Sequence, residues 1–296
     1  MFGSYFRRIT LFVLTNLAVV LLIGVLGRIF GLDQLLFQAG YNPVGLLVMS
    51  ALFGGVGSVV SLLLSKRMAL WSTGARILDR PQTREETALL AAVQRQAQQA
   101  GIDPPDLAIY EAAEPNAFAT GAFRNSALVA LSTGLLHRMG PREVEAVIAH
   151  EISHVANGDM VTMALLQGVV NTFVIFLSRT AGFLVDKLVF RTERGRGRGP
   201  GYWITTIVAE LAFGLLASLI VRAYSRRREF RADAGAAALV GAPAMIGALQ
   251  VLSGAPSGGL NPDMAAFGIQ GGGFKSLLST HPRIEDRIAA LQQLPR

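Results

Sequence analysis

The sequence predicts a mostly α-helical membrane protein, in which four transmembrane helices are combined with a polar α+β part. Composition is the first observation behind this fold class. Hydrophobic residues make up 51% of the 296 residues and charged residues only 16%, whereas about 25% of an ordinary soluble protein is charged. The second observation is that the apolar residues are clustered in four long runs. Such a chain has too little polar surface to cover itself in water, so we expect these runs to lie in a lipid bilayer.

The four apolar runs are the predicted transmembrane helices. The first carries no charge and is about as long as one bilayer crossing requires. It is long for the core of a signal peptide and no clear cleavage site follows it, so we interpret it as retained. The second is rich in glycine, which lets neighbouring transmembrane helices approach closely. The runs occupy residues 9–27, 43–64, 160 to about 185, and 202–221.

The polar part of the chain is divided in two by the last pair of runs. Its first section has helical periodicity over Arg84–Gln99, short strands at 107–110 and 127–131, and a helix from Pro141 to a stop at Asn157 and Gly158. The section after residue 222 is polar and mostly helical in pattern. We therefore expect two transmembrane helices in 1–65, the first part of a catalytic domain in 66–159, a transmembrane hairpin in 160–222 and the second part of that domain in 223–296.

Cysteine content and net charge exclude several classes of function. The chain contains no cysteine, which excludes a disulfide framework, a thiolate metal site and a cysteine nucleophile. The net charge of +7 fits basic residues that flank membrane spans, and we predict no nucleic-acid partner. The arginine- and glycine-rich segment 191–201 is interpreted as a flexible connector. An electrostatic role of the arginine clusters in binding nucleic acid or lipid is the alternative.

The motif that carries chemistry is His-Glu-Ile-Ser-His, on the predicted helix that Pro141 opens. His150 and His154 are four residues apart and share one helix face, so their ring nitrogens can reach the same ion. Zinc binds neutral imidazole readily, and Glu151 beside the first histidine can take a proton from an attacking water molecule. The alternative is a pair of surface histidines beside a salt-bridging glutamate. The apolar residues around the motif favour burial, which is costly for such a group without a function.

Two histidines do not complete a zinc site, so a third ligand is required. The candidate segment follows the fourth apolar run and contains Glu229 and Asp233, which are four residues apart on one predicted helix face. One carboxylate can ligate the metal and the other can accept the outer N–H of a ligand histidine. The alternative is a solvated salt-bridge surface among arginines.

Two further segments are candidates for contact with a substrate. His281, before Pro282, could donate a hydrogen bond to a developing oxyanion, although on sequence alone a turn histidine is the simpler interpretation. Asn116, Ala117 and Phe118 precede the strand at 127–131. Because sheet edges bind extended peptides as an added strand, we predict that these three residues bind substrate, with a plain hairpin as the alternative.

These residues together resemble the HtpX-type membrane metalloproteases of the M48 peptidase family, relatives of the Ste24 CAAX-prenyl endopeptidases. The similarity covers nearly the whole chain and includes the four apolar runs in order. Four motifs carry it: AHEISHVANGDMVTM from Ala149, SRRREFRADAG from Ser225, PNAFATG from Pro115 and STHPRIEDRI from Ser279. Ste24 relatives have more membrane spans than the four predicted here, so the chain is more similar to the HtpX branch.

The resemblance implies a zincin-like catalytic domain of the gluzincin type. It implies His150, His154 and Glu229 as the ligands of one zinc ion per chain, Glu151 as the general base, Asp233 as a partner of a ligand histidine, and a transition-state role for His281. It also implies an endopeptidase of the bacterial cytoplasmic membrane that cleaves damaged or misfolded membrane proteins. A catalytically silent zinc-binding adaptor for unfolded clients is the alternative. Oligomeric state is not predicted.

The proposed ligands constrain the membrane topology. The histidines precede the third apolar run and Glu229 follows the fourth, so the intervening chain must cross the bilayer an even number of times. A hairpin of two spans, which we favour, satisfies this, and so would no true crossing at all. Basic residues then gather on one side, which the positive-inside rule makes cytoplasmic; they are Arg7, Arg8, Lys66, Arg67, Arg222 and Arg226 to Arg228. Either the arginines of 191–198 violate this rule, or the last two apolar runs are not both complete spans. Within the hairpin, we expect Glu210 either to pair with Arg179 or to face a water-filled cavity.

Overall fold

The computed structural model describes residues 42–190, 199–254 and 281–294, together with the single positions 25 and 29. The first predicted span and the arginine-rich segment 191–198 therefore lie outside the described residues. Within them, the helices are α1 (Pro43–Thr73), α2 (Arg84–Gln99), α3 (Thr133–Arg138), α4 (Pro141–Asn157), α5 (Asp159–Leu188), α6 (Pro200–Val240), α7 (Ala242–Ser253) and α8 (Ile284–Gln292). The strands are β1 (Arg76–Ile77), β2 (Asp106–Tyr110), β3 (Ala117–Thr120) and β4 (Leu128–Ser132). The chain is thus mostly helical, with one small sheet.

Three described helices are long and apolar enough to cross a membrane. They are α1, α5 and α6, with 31, 30 and 41 residues. These helices correspond to the second, third and fourth predicted spans. All three are longer than the apolar runs, because the residues that follow each run contain no proline to stop a helix. Helix α1 continues to Thr73, α5 ends at Leu188, and α6 continues through Glu229 and Asp233 to Val240.

The described residues divide into two compact units. One consists of the described parts of Met1–Ser61 and Thr162–Val221, and the other of Leu62–Val161 and the described parts of Arg222–Arg296. We call the first the apolar unit and the second the polar unit. Each unit is built from two separate stretches of chain. The polar unit therefore combines residues that precede and residues that follow segment 162–221.

Close packing of small residues joins the helices of the apolar unit. A Cβ atom added at Gly54 of α1 would lie 2.6 Å from the hydroxyl oxygen of Thr172 and 2.9 Å from the carbonyl oxygen of Gly168, both on α5. This close approach explains the glycine at position 54 of the second predicted span, whereas a Cβ atom added at Gly57 would meet no atom within 4 Å. Between α5 and α6, Arg179 lies 3.4 Å from Glu210, so the structure shows the ion pair that was one of the two arrangements expected for Glu210.

The sheet of the polar unit has the strand order β1-β2-β4-β3. The central pair, β2 and β4, is parallel, and the outer strands β1 and β3 pair with it antiparallel. The predicted strands at 107–110 and 127–131 are thus present, shifted by one residue at one or both ends. β3, which contains Ala117 and Phe118, is an edge strand of the described sheet.

The core of the polar unit lies between the sheet and helices α2, α4 and α7. Leu107, Val129 and Leu131 of the sheet share this core with Ile148 and Ile152 of α4. On the opposite face of the sheet, the end of α1 covers a smaller cluster that includes Tyr110 and Phe118. Helix α4 is therefore buried on most sides, and the side chains that it directs towards α6 and α8 lie away from water.

Candidate metal centre

Helix α4 holds the His-Glu-x-x-His motif in a defined position. Proline at its first turn and Gly158 after its last turn set its ends; Gly158 has φ 63° and its N–H donates to the carbonyl of His154. His150 and His154 lie one turn apart, with their Nε2 atoms separated by 3.1 Å. His150 is only 2% exposed. The predicted helix and the predicted shared face are therefore present.

Glu229 of α6 meets these two histidines. One carboxylate oxygen lies 3.3 Å from His150 Nε2 and the other lies 3.3 Å from His154 Nε2. The Glu229 side chain is fully buried. One ligand atom from each of the three residues lies within 4.8 Å of the other two. The structure thus brings together the three residues that the sequence analysis proposed as metal ligands, although 75 positions separate Glu229 from His154 in the chain.

The spacing of these atoms fits a single zinc ion. Ligand atoms about 2.0–2.1 Å from a tetrahedral zinc ion are about 3.3 Å apart from one another. The two nitrogens are 3.1 Å apart, which is close to this value, and each of them lies 3.3 Å from a different oxygen of Glu229. Among the described residues, Glu229 Oε1 is also a buried oxygen without a hydrogen-bond donor. Two imidazole nitrogens and one carboxylate oxygen are therefore a donor set that a metal ion would satisfy.

A carboxylate binds the outer nitrogen of each histidine. Asp233 lies 3.0 Å from His150 Nδ1, and Asp159 lies 2.7 Å from His154 Nδ1. A carboxylate at this position accepts the Nδ1–H, which leaves the lone pair of Nε2 directed at the metal. The predicted placement of Asp233 beside a ligand histidine is seen here for His150. Asp159 was not identified from the sequence, although it follows His154 by only five residues.

Each of these carboxylates in turn meets an arginine. Arg287 of α8 donates to both oxygens of Asp233, at 2.7 Å from Nε and 2.6 Å from Nη2. Arg231 of α6 donates to Asp159 through one contact of 3.3 Å. The Arg287 side chain is 1% exposed, whereas that of Arg231 is 56% exposed. The sequence analysis assigned no role to either arginine, because no local pattern distinguishes a buried arginine from one on a helix surface.

The surroundings of the two histidines raise their pKa values. Burial lowers the pKa of His150, but hydrogen bonds to Asp233 and Glu229 outweigh burial and raise it to about 9. Burial likewise opposes protonation of His154, whose pKa is nevertheless raised by the charge of Glu229 and the hydrogen bond to Asp159. The site is therefore negative enough to attract a cation, whether a proton or a metal ion.

Glu151 lies on the same helix, between the two histidines in sequence, and is buried. Its carboxylate is close enough to Tyr110 of β2 to influence that residue. The pKa of Tyr110 is raised to about 12, mainly because the residue is buried and additionally because of the negative charge of Glu151. Tyr110 packs against Phe118 of β3, with 5.7 Å between ring centroids. The predicted base and the predicted substrate strand therefore lie in the same region of the polar unit.

The other predicted site residues are also buried within the polar unit. His281 Nδ1 lies 2.8 Å from Glu229 Oε2, so this histidine lies beside the proposed ligand set. Asn116 is buried, and its backbone N–H donates to the Ser132 hydroxyl at the end of β4. Ala117 and Phe118 are buried in the edge strand that packs against α4. The structure thus places the late histidine beside the ligands and the edge strand against the helix that carries the motif.

Comparison with known proteins identifies the family. Residues 83–294 match the model of peptidase family M48. The chain belongs to peptidase family M48. A protease HtpX homolog from Janthinobacterium sp. (strain Marseille) is 54% identical over 290 residues, which cover 97% of this chain and 99% of that protein. Protease HtpX from Nitrosococcus oceani is 54% identical over 292 residues, covering 97% of this chain and 98% of that protein.

A solved structure supports the M48 fold. The crystal structure of S. mikatae Ste24p aligns with a TM-score of 0.60, covering 95% of this chain and 67% of that chain at 18% sequence identity. At this identity the similarity concerns the fold. The family match, the protease relatives and the three apolar helices make this M48 protein a membrane metalloprotease, as the motifs of the sequence predicted.

Proposed function

We propose that this protein is a zinc-dependent endopeptidase of the cytoplasmic membrane that cleaves misfolded or damaged membrane proteins. His150, His154 and Glu229 would hold one zinc ion per chain. The observation that carries this proposal is the convergence of three buried residues whose ligand atoms lie within 4.8 Å of one another. The carboxylates behind both histidines support it, because they select the tautomer that a metal requires.

Glu151 is the general base of the proposed reaction. When bound, zinc would polarise the substrate carbonyl and make an attacking water molecule more acidic. Glu151 takes a proton from this water and then delivers it to the nitrogen of the leaving amine. Its place on α4 next to His150, in a buried site, suits both transfers, because a buried carboxylate is poorly screened by solvent.

His281 and β3 are proposed to position the substrate. His281 donates a hydrogen bond to the oxyanion as the carbonyl becomes tetrahedral, and its location beside Glu229 supports this role. The substrate backbone pairs with the outer edge of β3 at Asn116, Ala117 and Phe118. A chain that pairs there must be extended, so unfolded segments are favoured over folded ones. This preference supports misfolded membrane proteins as the substrate class.

The proposed orientation places the metal centre on the cytoplasmic side. Helix α5 and the apolar part of α6 lie between the histidines and Glu229 in sequence, so a hairpin returns the chain to the side from which it left. Lys66 and Arg67 follow the apolar run of α1, and Arg222 follows that of α6. The positive-inside rule puts these ends in the cytoplasm.

Replacement of Glu151 tests the assignment of the base. Glu151→Gln should retain about one zinc ion per chain. Its rate of cleavage of an unfolded reporter protein should fall by a factor of about 100 to 10,000. Glu145→Gln is the matched control, because Glu145 lies on the same helix but in an exposed ion pair with Arg95. Activity should persist in this control. Full activity in Glu151→Gln would contradict the mechanism.

A zinc-loaded parent protein without any cleavage activity would support the alternative of a silent adaptor. The substrate class is tested separately in proteoliposomes. A membrane protein destabilised by substitution should be cleaved faster than its folded parent. Equal rates for the two would contradict selection for unfolded segments.

A further inference from the structure

The structure assigns a positioning role to Arg287: by holding both oxygens of Asp233, it fixes the hydrogen bond that orients His150. This inference rests on the proposed zinc site, because it concerns one of the proposed ligands. Arg287 lies on α8, 54 residues beyond Asp233 and 137 beyond His150. A residue near the end of the chain therefore completes the surroundings of the metal centre.

The contacts of Arg287 leave Asp233 with one orientation. Nε and Nη2 of the guanidinium meet the two carboxylate oxygens at 2.7 and 2.6 Å, as a planar fork meets a planar acceptor. The oxygen that receives Nη2 also lies 3.0 Å from His150 Nδ1. Rotation of the Asp233 carboxylate would break both contacts with the arginine. The plane of the His150 ring is therefore held through Asp233.

Burial makes this pair costly unless the charges balance. The side chains of Arg287 and Asp233 are about equally inaccessible to water, at 1% and 2% exposed. A buried guanidinium or carboxylate is tolerated only with a partner of opposite charge and good geometry. Arg287 Nη1 also lies 3.8 Å from Glu229, so one positive charge faces two of the buried carboxylates of the site. This arrangement keeps Asp233 behind His150 and away from the position of a metal ligand.

The other histidine offers a matched comparison within the same site. His154 has the same succession of carboxylate and arginine, formed by Asp159 and Arg231. There the arginine is 56% exposed and makes a single contact of 3.3 Å. Water can replace an exposed arginine as a partner of Asp159 at little cost. The positioning role therefore belongs to Arg287, and Arg231 serves as its control.

The test uses the full-length protein in detergent and measures two properties of the metal site. One is the rate at which a chelator removes zinc, and the other is the visible absorption spectrum after cobalt(II) substitution, which reports ligand geometry. Arg287→Met should release zinc roughly 10- to 100-fold faster than the parent, the range for loss of a partner behind a metal ligand, with an altered cobalt spectrum. Arg231→Met should stay within about twofold of the parent.

Additional variants separate positioning from a contribution to folding. Arg287→Lys keeps the charge without the fork, so it should fold and still release zinc faster than the parent. Leu291→Ala removes a buried apolar side chain from the same helix, so it should lower the melting temperature and leave the cobalt spectrum unchanged. Because Arg287 acts through Asp233, the double variant Asp233→Asn, Arg287→Met should release zinc no faster than Asp233→Asn alone.

Two results would overturn the inference. The first is parental zinc release and a parental cobalt spectrum in both Arg287 variants. The second is a double variant whose effects are the product of the two single effects, which would show that Arg287 acts independently of Asp233. A parent protein that binds no zinc or cobalt would instead refute the proposed metal site, and this inference with it.

Discussion

The two histidines of the candidate metal centre are held in different ways. His154 is held locally: Asp159 follows it by five residues, across the left-handed turn at Gly158, and the arginine behind Asp159 is largely exposed. His150 is held by Asp233 and Arg287, which come from two other helices and are buried. A local arrangement forms wherever the helix and its turn form. The buried arrangement around His150 forms only when the whole polar unit is assembled. Changes that disturb the packing of this unit should therefore affect His150 more than His154.

The largest expected difference between the two histidines is in the stability lost when the carboxylate behind each of them is replaced. Asp233→Asn leaves the Arg287 charge buried without its partner and should destabilise the metal-free protein by about 3–5 kcal/mol. Asp159→Asn leaves Arg231 exposed to water and should cost about 0–1 kcal/mol for that ion pair. Denaturant unfolding of the metal-free polar unit, followed in the full-length protein, measures the two costs. Equal costs would show that the contrast in burial has no energetic consequence.

The pH dependence of metal binding tests a property that both histidines share, a raised pKa. The pKa of His150 is raised to about 9 and that of His154 is also raised, so below this range the metal-free rings carry protons that a metal must displace. Zinc affinity should therefore rise with pH from neutrality towards about 9 and level off above it, by about tenfold per pH unit for each proton released. Proton release on zinc addition in weakly buffered solution gives the number of protons. Absence of release at neutral pH would contradict the raised pKa values.

The smallest expected effect concerns the local turn behind His154. Gly158 has φ 63°, where alanine costs about 1–2 kcal/mol. Gly158→Ala should therefore lower stability by about this amount and increase the zinc release rate less than Asp233→Asn does. Thermal unfolding and chelator-driven release measure the two quantities. Gly101 has φ 68° at a turn after α2, so Gly101→Ala is a control with the same strain far from the motif. Equal zinc release rates in Gly158→Ala and Gly101→Ala would exclude a specific role of the turn at Gly158.

Much of the fold was predictable because its elements have strong local patterns. The glycine-rich apolar run at 43–64 predicted α1, and proline at 141 with glycine at 158 predicted the limits of α4. The helix ends within the polar part were less predictable. Helix α6 runs without interruption from Pro200 to Val240, because helix propensity continues across residue 222 while hydrophobicity does not. A reading based on hydrophobicity alone therefore placed a boundary where the backbone has none.

The candidate site was predictable to the extent that its residues are repeated at helical spacing. His150 and His154, and likewise Glu229 and Asp233, are four residues apart, so each pair was expected on one helix face. Asp159 could have been found from the same reasoning, since a left-handed glycine after a helix turns the chain back towards its last turn. Arg287 could not be found in this way, because no local pattern distinguishes a buried arginine from one on a helix surface.

The sequence by itself determined the chemistry of this protein: the donor types, their spacing on each helix, the apolar runs and the membership of a metalloprotease family all follow from local order along the chain. The tertiary structure alone decided that Asp233 pairs with His150 rather than His154, that Arg287 holds Asp233, and that this pair is buried. The physical reason is that helical spacing is a property of neighbouring residues, whereas burial and the pairing of Arg287 with Asp233 depend on helices that are distant in sequence packing together.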